Sequence, residues 1–293
     1  MALVVLLAFS SSPVAAFYHN EDEAWTYDVI MDIDVGSFII RVSGNMTYEF
    51  RERGTLIVES EEYDTNVLSV EGELSGSMEL FGEPFIDASI VVDGFLFETL
   101  NGGGTIKEQT DMLIDATFGS GSSSWSLQQT RQSIVTYTPP YLSQLSPASN
   151  QLGNHWTEQV YVNSSSTSWN NGTDPDTWWN GYGTTFDITV GGNSFGVGTP
   201  AGNFTCISIE VVDWGGDYDV LWWSNDVHGI VIKESYWVGE EWPNWHESMI
   251  LAKYRRGDTD SILWVVVVGI CVAVVAMVVL FLVLLRTRIP KDS

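Results

Sequence analysis

Gly192-Asn193-Ser194-Phe195-Gly196 places a serine in the G-x-S-x-G spacing of a hydrolase elbow. That elbow needs a strand before the serine and a helix after it, so that the hydroxyl stands exposed above a parallel sheet. Here a β-like run and Pro200 follow the serine. A hairpin is therefore the expected structure, and hydrolysis through Ser194 is the minor alternative. The four histidines, His19, His155, His228 and His246, fall in no metal-ligand spacing, and His246-Glu247 lacks a second histidine. Asp213, Asp217 and Asp219, with Asp174 and Asp176, offer hard oxygen ligands to a Ca²⁺ ion, but not at the spacing of an EF-hand loop. Aspartate is also ordinary at turns, where its side chain bonds the local backbone. These residues assign no catalytic group, no cofactor and no firm metal site, so the expectation is a protein without enzymatic activity.

The remaining chemistry-bearing residues are aromatic. Ten of the 13 tryptophans lie between Trp156 and Trp245, densest at Trp178-Trp179, Trp222-Trp223 and Trp242-Pro243-Asn244-Trp245. Adjacent residues of a strand point to opposite faces, so one ring of each pair need not reach a core. An exposed ring can stack on a sugar or fill a partner's pocket, while a buried one supplies core area. Trp178, Trp179, Trp222, Trp223, Trp242 and Trp245 are thus the ligand-binding candidates, with core packing as the competing use.

The elements that carry these residues read as β throughout. Trp25–Asp34 alternates apolar and polar residues, as do Phe38–Phe50, Val67–Leu80 and Ala88–Leu100. Short strands at roughly ten-residue spacing predict an antiparallel meander. Turns are expected at Arg51–Gly54, at Gly191-Gly192-Asn193 and at Gly198–Gly202, and a loop-like polar tract over Asn163–Asn180. Thr138-Pro139-Pro140 reads as a β-breaker, because proline cannot donate to a ladder. That break separates an N-terminal β lobe, 17–138, from a tryptophan-rich C-terminal lobe, 139–256, with one continuous domain as the alternative. The expected fold is an all-β antiparallel meander forming a curved sheet, half-barrel or sandwich.

The ends place the chain in the cell. Ile262–Leu285 is an uncharged apolar run of 24 residues, long enough to cross a hydrocarbon core about 30 Å thick as a helix. The tail 286–293 carries Arg286, Arg288 and Lys291, a basic flank that stays cytoplasmic. Ala2–Phe9 followed by Val14-Ala15-Ala16 reads as a secretory signal, residues 1–16, cut after Ala16; a buried N-terminal strand is the alternative. Residues 17–261 hold 9 Lys+Arg against 37 Asp+Glu, a net charge of −28, which repels nucleic acid. Four sequons, at Asn45, Asn163, Asn171 and Asn203, lie in this outer segment. Cys271 lies within the apolar run and Cys206 outside it, so no intrachain disulfide is expected.

The second half carries a family resemblance. Trp156, Thr199-Pro200-Ala201-Gly202-Asn203-Phe204-Thr205-Cys206, Leu221-Trp222-Trp223-Ser224 and Gly229–Glu234 resemble the hairpin pattern of TapB-like envelope proteins, similar in outline to LolA/LolB-type half-barrels. The resemblance implies a curved antiparallel sheet at the cell envelope. It covers about a third of the chain and involves turns and strands, not catalytic groups.

Together these readings predict a single-pass protein of the plasma membrane. Its glycosylated ectodomain lies outside the cell and binds an envelope protein, a glycan or an apolar ligand through the tryptophan-rich half. A structural envelope component and a lipid or lipoprotein carrier are the alternatives. The sequence sets no oligomeric state.

Overall fold

The computed structural model describes residues 19, 21–34, 38–80, 83–100, 104–118, 125–142, 153–171, 174–237 and 244–257. The chain divides into two units, Met1–Arg256 and Gly257–Ser293; Gly257 alone is described in the second. The apolar run 262–285, the signal segment 1–16 and the tail 286–293 lie outside the described residues. Among the described residues no helix is long and apolar enough to cross a membrane.

Among its described residues the first unit is a sheet of twelve antiparallel strands. They are β1 (Ala24–Asp34), β2 (Phe38–Val58), β3 (Glu61–Leu80), β4 (Glu83–Thr99), β5 (Thr105–Phe118), β6 (Trp125–Tyr141), β7 (His155–Asn170), β8 (Asp176–Thr199), β9 (Gly202–Asp213), β10 (Tyr218–Ser224), β11 (Gly229–Trp237) and β12 (Asn244–Arg255). Each strand pairs with its sequence neighbour, and β1 pairs with β12 from Ala24↔Arg255 to Asp34↔Asn244. The meander is as expected, but the sheet closes into a barrel where a half-barrel or sandwich was expected. The eleven residues of β1 find partners on both sides, and closure removes the sheet edges that an open form would leave.

Strands are longer than the sequence suggests. Arg51–Gly54 is no turn: β2 passes through it with a register shift between Phe50 and Glu52. Gly191–Asn193 is likewise a shift inside β8, and the real β8–β9 turn is Thr199-Pro200-Ala201-Gly202. Polar and glycine-rich stretches mimic turns, but a bulge uses the same residues without reversing the chain. Pro139 and Pro140 lie inside β6. They follow the last β6–β7 pair, Thr138↔Tyr161, so no ladder donor to β7 is lost there. Residues 17–138 and 139–256 thus contribute to one barrel, joined through β6 and β7. Gly44 and Gly76 mark close approach between β2 and β3. A Cβ at Gly44 would stand 1.9 Å from the Glu73 carbonyl oxygen, and one at Gly76 2.0 Å from that of Arg41.

Alternation decides which side faces in. Along β1, Tyr27, Val29, Met31 and Ile33 are buried while Asp28, Ile30 and Asp32 are exposed. Arg41, Glu71, Glu73, Asp93, Asp111 and Asp115 continue this exposed outer face. An apolar interior under a charged exterior is the reverse of a membrane-spanning barrel, whose outward band is apolar. One apolar cluster joins Trp25, Tyr48, Leu68 and Ile90 to Met112 and Leu251; a second joins Leu142, Ile188, Ile209, Leu221 and Trp223.

Candidate functional site

The inward face changes character around the barrel. On β3 and β4 it is Leu68, Val70, Leu74, Ile90, Val92 and Leu96, all buried. On β6–β8 the unbroken register brings Ser166 opposite Ser133 and Trp178, and Ser164 opposite Asn180. Val162, buried, faces Tyr182, so Tyr182, Asn180 and Trp178 share its inward side. Here the wall presents hydroxyls, amides and aromatic rings in place of aliphatic groups.

Arg131 anchors this wall. Its guanidinium is buried, its Nε donates to Ser166 Oγ at 2.7 Å, and its Cζ lies 5.7 Å from the centre of the Trp178 ring. Cation–π contact of this kind adds to the hydrogen bond. Burial lowers the Arg131 pKa, yet guanidinium remains charged in proteins. Below it, Tyr137 Oη donates to Glu108 Oε1 at 3.0 Å, and the Trp156 indole N–H donates to Glu158 Oε1 at 3.2 Å. Tyr182 is inward yet 48% exposed.

The solvent reaches Tyr182 because the wall is notched. β9 pairs with β8 only from Phe186↔Asp213 onward. Among the described residues Asp176–Thr185 pairs with β7 alone. This β7–β8 arm stands beyond the end of β9. It lies at the barrel end opposite Ala24 and Arg255, since Asp34 and Asn244 pair at the arm's end.

The tryptophan candidates separate into distinct environments. Trp178 is half-buried and inward; Trp179, its neighbour, is outward, opposite Ser165 and 74% exposed. Trp223 is buried in the second cluster and Trp222 packs, half-buried, against the first. A register shift between Trp222 and Trp223 accompanies this division. Trp222 and Trp223 therefore serve packing. Trp245 pairs through its backbone with Ile33 and Trp237; its side chain and all of Trp242 lie outside the described residues. The supposed loop Asn163–Asn180 is the second half of β7, a turn and the start of β8. Its serines and threonines suggest a loop because they are polar, but they line a strand, Ser164, Ser166 and Ser168 on one face. Both faces of that stretch are polar, so the sequence carries no signal for Ser166, and none for Arg131 or Tyr182.

The aspartates do not converge. Asp213 Oδ1 accepts from the Asp217 backbone N–H at 3.0 Å across the β9–β10 turn, while Asp219 lies 4.0 Å from the buried Lys233 Nζ. Burial, then the nearby Asp217, raises the Asp213 pKa. Among the described residues no three or more His, Cys, Asp or Glu side chains are grouped to hold a metal ion. Ser194 is an exposed residue of β8 before Pro200, followed by strand and turn. Asn45, Asn171 and Asn203 are exposed and Asn163 half-buried. Asn45 donates to Asp28 Oδ1, and Asn171 Oδ1 accepts from the Gln128 N–H, each within 2.8 Å. Cys206 is a free, buried thiol, pushed up to about 11 by burial and then by Asp226.

The opposite barrel end is closed by ionic chemistry. His19 is buried with Nε2 3.3 Å from Glu98 and Nδ1 3.5 Å from Glu23. Glu23 also accepts from Tyr254 Oη at 2.5 Å, and Arg53 donates to the His19 carbonyl at 3.0 Å. Burial alone would lower the His19 pKa; hydrogen bonds to Glu23 and Glu98 and their charge raise it to about 9. In the barrel wall, burial raises Glu247 to about 7 against the opposing pull of Lys233.

No family model, no curated protein and no solved structure matches the chain.

Proposed function

We propose that this chain is a membrane-anchored, extracellular recognition module without catalytic activity, and that the β7–β8 arm is its binding surface. The carrying observation is the arm itself: Trp178 and Tyr182 on its inner side and Trp179 on its outer side are all reached by solvent. Large aromatics left accessible beside a polar wall are the residues that dominate recognition energetics. The chain leaves the barrel at Arg255, at the end opposite the arm.

A glycan is the second reading of the occupant, favoured by Ser164 and the exposed Asn180 on the same inward face as Trp178. Lipid or lipoprotein carriage needs an open apolar cavity, whereas the inward Trp25, Tyr27, Met31 and Tyr48 are each 1% exposed or less, with Trp25 and Tyr27 donating to the Val227 and Ile230 carbonyls. A structural envelope role predicts neighbours in fixed stoichiometry on crosslinking intact cells.

The test is binding of the full chain in nanodiscs to solubilised envelope fractions and to a glycan array. The triple variant Trp178→Ala, Trp179→Ser, Tyr182→Ala should lose binding while keeping the β-sheet circular dichroism of the parent. Undiminished binding by the folded variant would remove the arm from the reading.

A further inference from the structure

The free edge of β8 has a property that its aromatic side chains do not explain. Over Asp176–Thr185, ten residues and about 34 Å of strand at 3.4 Å per residue, backbone N–H and C=O groups on one side meet no neighbouring strand among the described residues. Half the residues of an edge strand, about five here, direct both groups outward. Every residue from Asp176 to Gly183 except the half-buried Trp178 is exposed.

Proteins that keep such edges solitary blunt them with Lys, Pro, bulges or inward charges. Residues 176–185 contain no Lys, Arg, Glu or Pro, and the β7–β8 register runs through them without a shift. Gly183 leaves open space where a side chain would stand. Trp179 on one face and Trp178 and Tyr182 on the other would flank a strand laid against this edge.

We infer that Asp176–Thr185 is a strand-addition site for an extended segment of a partner polypeptide bearing Lys or Arg. This rests on the reading of the arm as the binding surface and names its partner class. Strand addition draws affinity from main-chain hydrogen bonds and specificity from alternate side chains. Charge selects the occupant. Asp176 and Asp187 bracket the edge, Asp213 and Asp217 lie where β9 gives way to it, and the chain carries a net charge of −26. A second copy brings the same sign, while a basic segment is complementary.

The experiment uses the full chain in nanodiscs and three synthetic ten-residue probes. One alternates Lys with Thr and Val, the second is its analogue N-methylated at alternate residues, and the third replaces Lys by Glu. The basic probe should bind, with each of the others weaker by about tenfold or more, a difference of about 1.4 kcal/mol. Gly183→Lys, which adds an edge charge where space is open, should weaken the basic probe by a similar factor. Equal binding of the N-methylated probe would mean charge without strand pairing and overturn the proposal, as would equal binding of the acidic probe or no binding at all. Self-association of the parent that Gly183→Lys abolishes would assign the edge to a second copy, and also overturn it. If the probes fail while the triple aromatic variant still loses envelope or glycan binding, strand addition falls and the recognition reading stands. If the probes bind but the triple variant binds envelope fractions like the parent, the reverse holds.

Discussion

The β3–β4 wall and the β6–β8 wall belong to one barrel and obey one alternation, yet they put their inward residues to different uses. Inward side chains of β3 and β4 are aliphatic and dry: Leu68, Ile90 and Leu96 have no exposure at all. The inward face of β6–β8 holds an arginine, serines, Trp178 and a half-exposed Tyr182. The backbone geometry does not separate them, since both pairings keep long regular registers, with a single shift in β3–β4 between Gly76 and Met78. What differs is the neighbour. β4 is flanked along its length by β3 and β5, whereas β8 outruns β9 by ten residues. Where the wall continues, apolar area leaves water and stabilises the fold; where it stops, water reaches Tyr182 and Asn180 while Arg131 and Ser166 stay buried against each other. Strand length thus sorts a buried apolar wall from a solvent-reached polar one.

The largest effect that bears on this contrast is a cavity in the dry wall. Leu68→Ala should destabilise the barrel by about 2–5 kcal/mol, while Trp178→Ala, half-buried on the wet wall, should cost only about 1 kcal/mol. Urea unfolding followed by far-ultraviolet circular dichroism measures both. Equal losses would mean that the wet wall is core after all.

The next effect concerns ionic groups inside the closed parts. His19 has a folded-state pKa raised from 6.5 to about 9. Its stabilisation is therefore fully present below pH 6.5 and fades as pH rises through 9, by an amount on the order of 3 kcal/mol. His19→Gln should be less stable than the parent at pH 6 and show a flatter profile between pH 7 and 10. Glu247, raised from 4.5 to about 7 by burial, has the same sign in a lower window. Stability that its proton confers is present below pH 4.5 and is lost by pH 7 and above. In Glu247→Gln that part of the slope should vanish. An unchanged slope between pH 5 and 7 would show that Glu247 is solvated in the barrel.

The contrast was only half legible in the amino-acid sequence. Period two in Trp25–Asp34 and Phe38–Phe50 identifies β-strands with an apolar face, because aliphatic residues announce burial by type. Closure is not legible: β1 and β12 meet at a sequence separation of 210 positions at Asp34↔Asn244, and neither strand's composition names its partner. The arm was hidden for another reason. Ser164, Ser166 and Ser168 alternate with Asn163, Ser165 and Thr167, so both faces are polar and period two leaves no contrast to detect. Trp178-Trp179 was found by density, and the structure divides the pair across the two faces. The same density pointed to Trp222-Trp223, where packing claims both rings. Aromatic type alone does not distinguish an edge strand from a central one.

The smallest predicted effect tests the outer side of the arm. Trp179 points away from the lumen, pairs through its backbone with Ser165 and is 74% exposed. Nothing in the barrel core depends on its ring, so Trp179→Ser should change unfolding stability by no more than about 0.5 kcal/mol. The ring should instead be visible to solvent probes. In the parent, acrylamide should quench an accessible fraction of tryptophan emission, and Trp179→Ser should reduce that fraction while leaving the shielded emission of Trp25 and Trp223 in place. A loss of stability comparable to that of Leu68→Ala would mean that Trp179 is covered within the fold, and the two walls would then no longer differ in kind. Unchanged stability with a reduced accessible fraction makes the arm a surface whose aromatic ring is held outside the barrel's own energetics, which is the condition for a partner to use it.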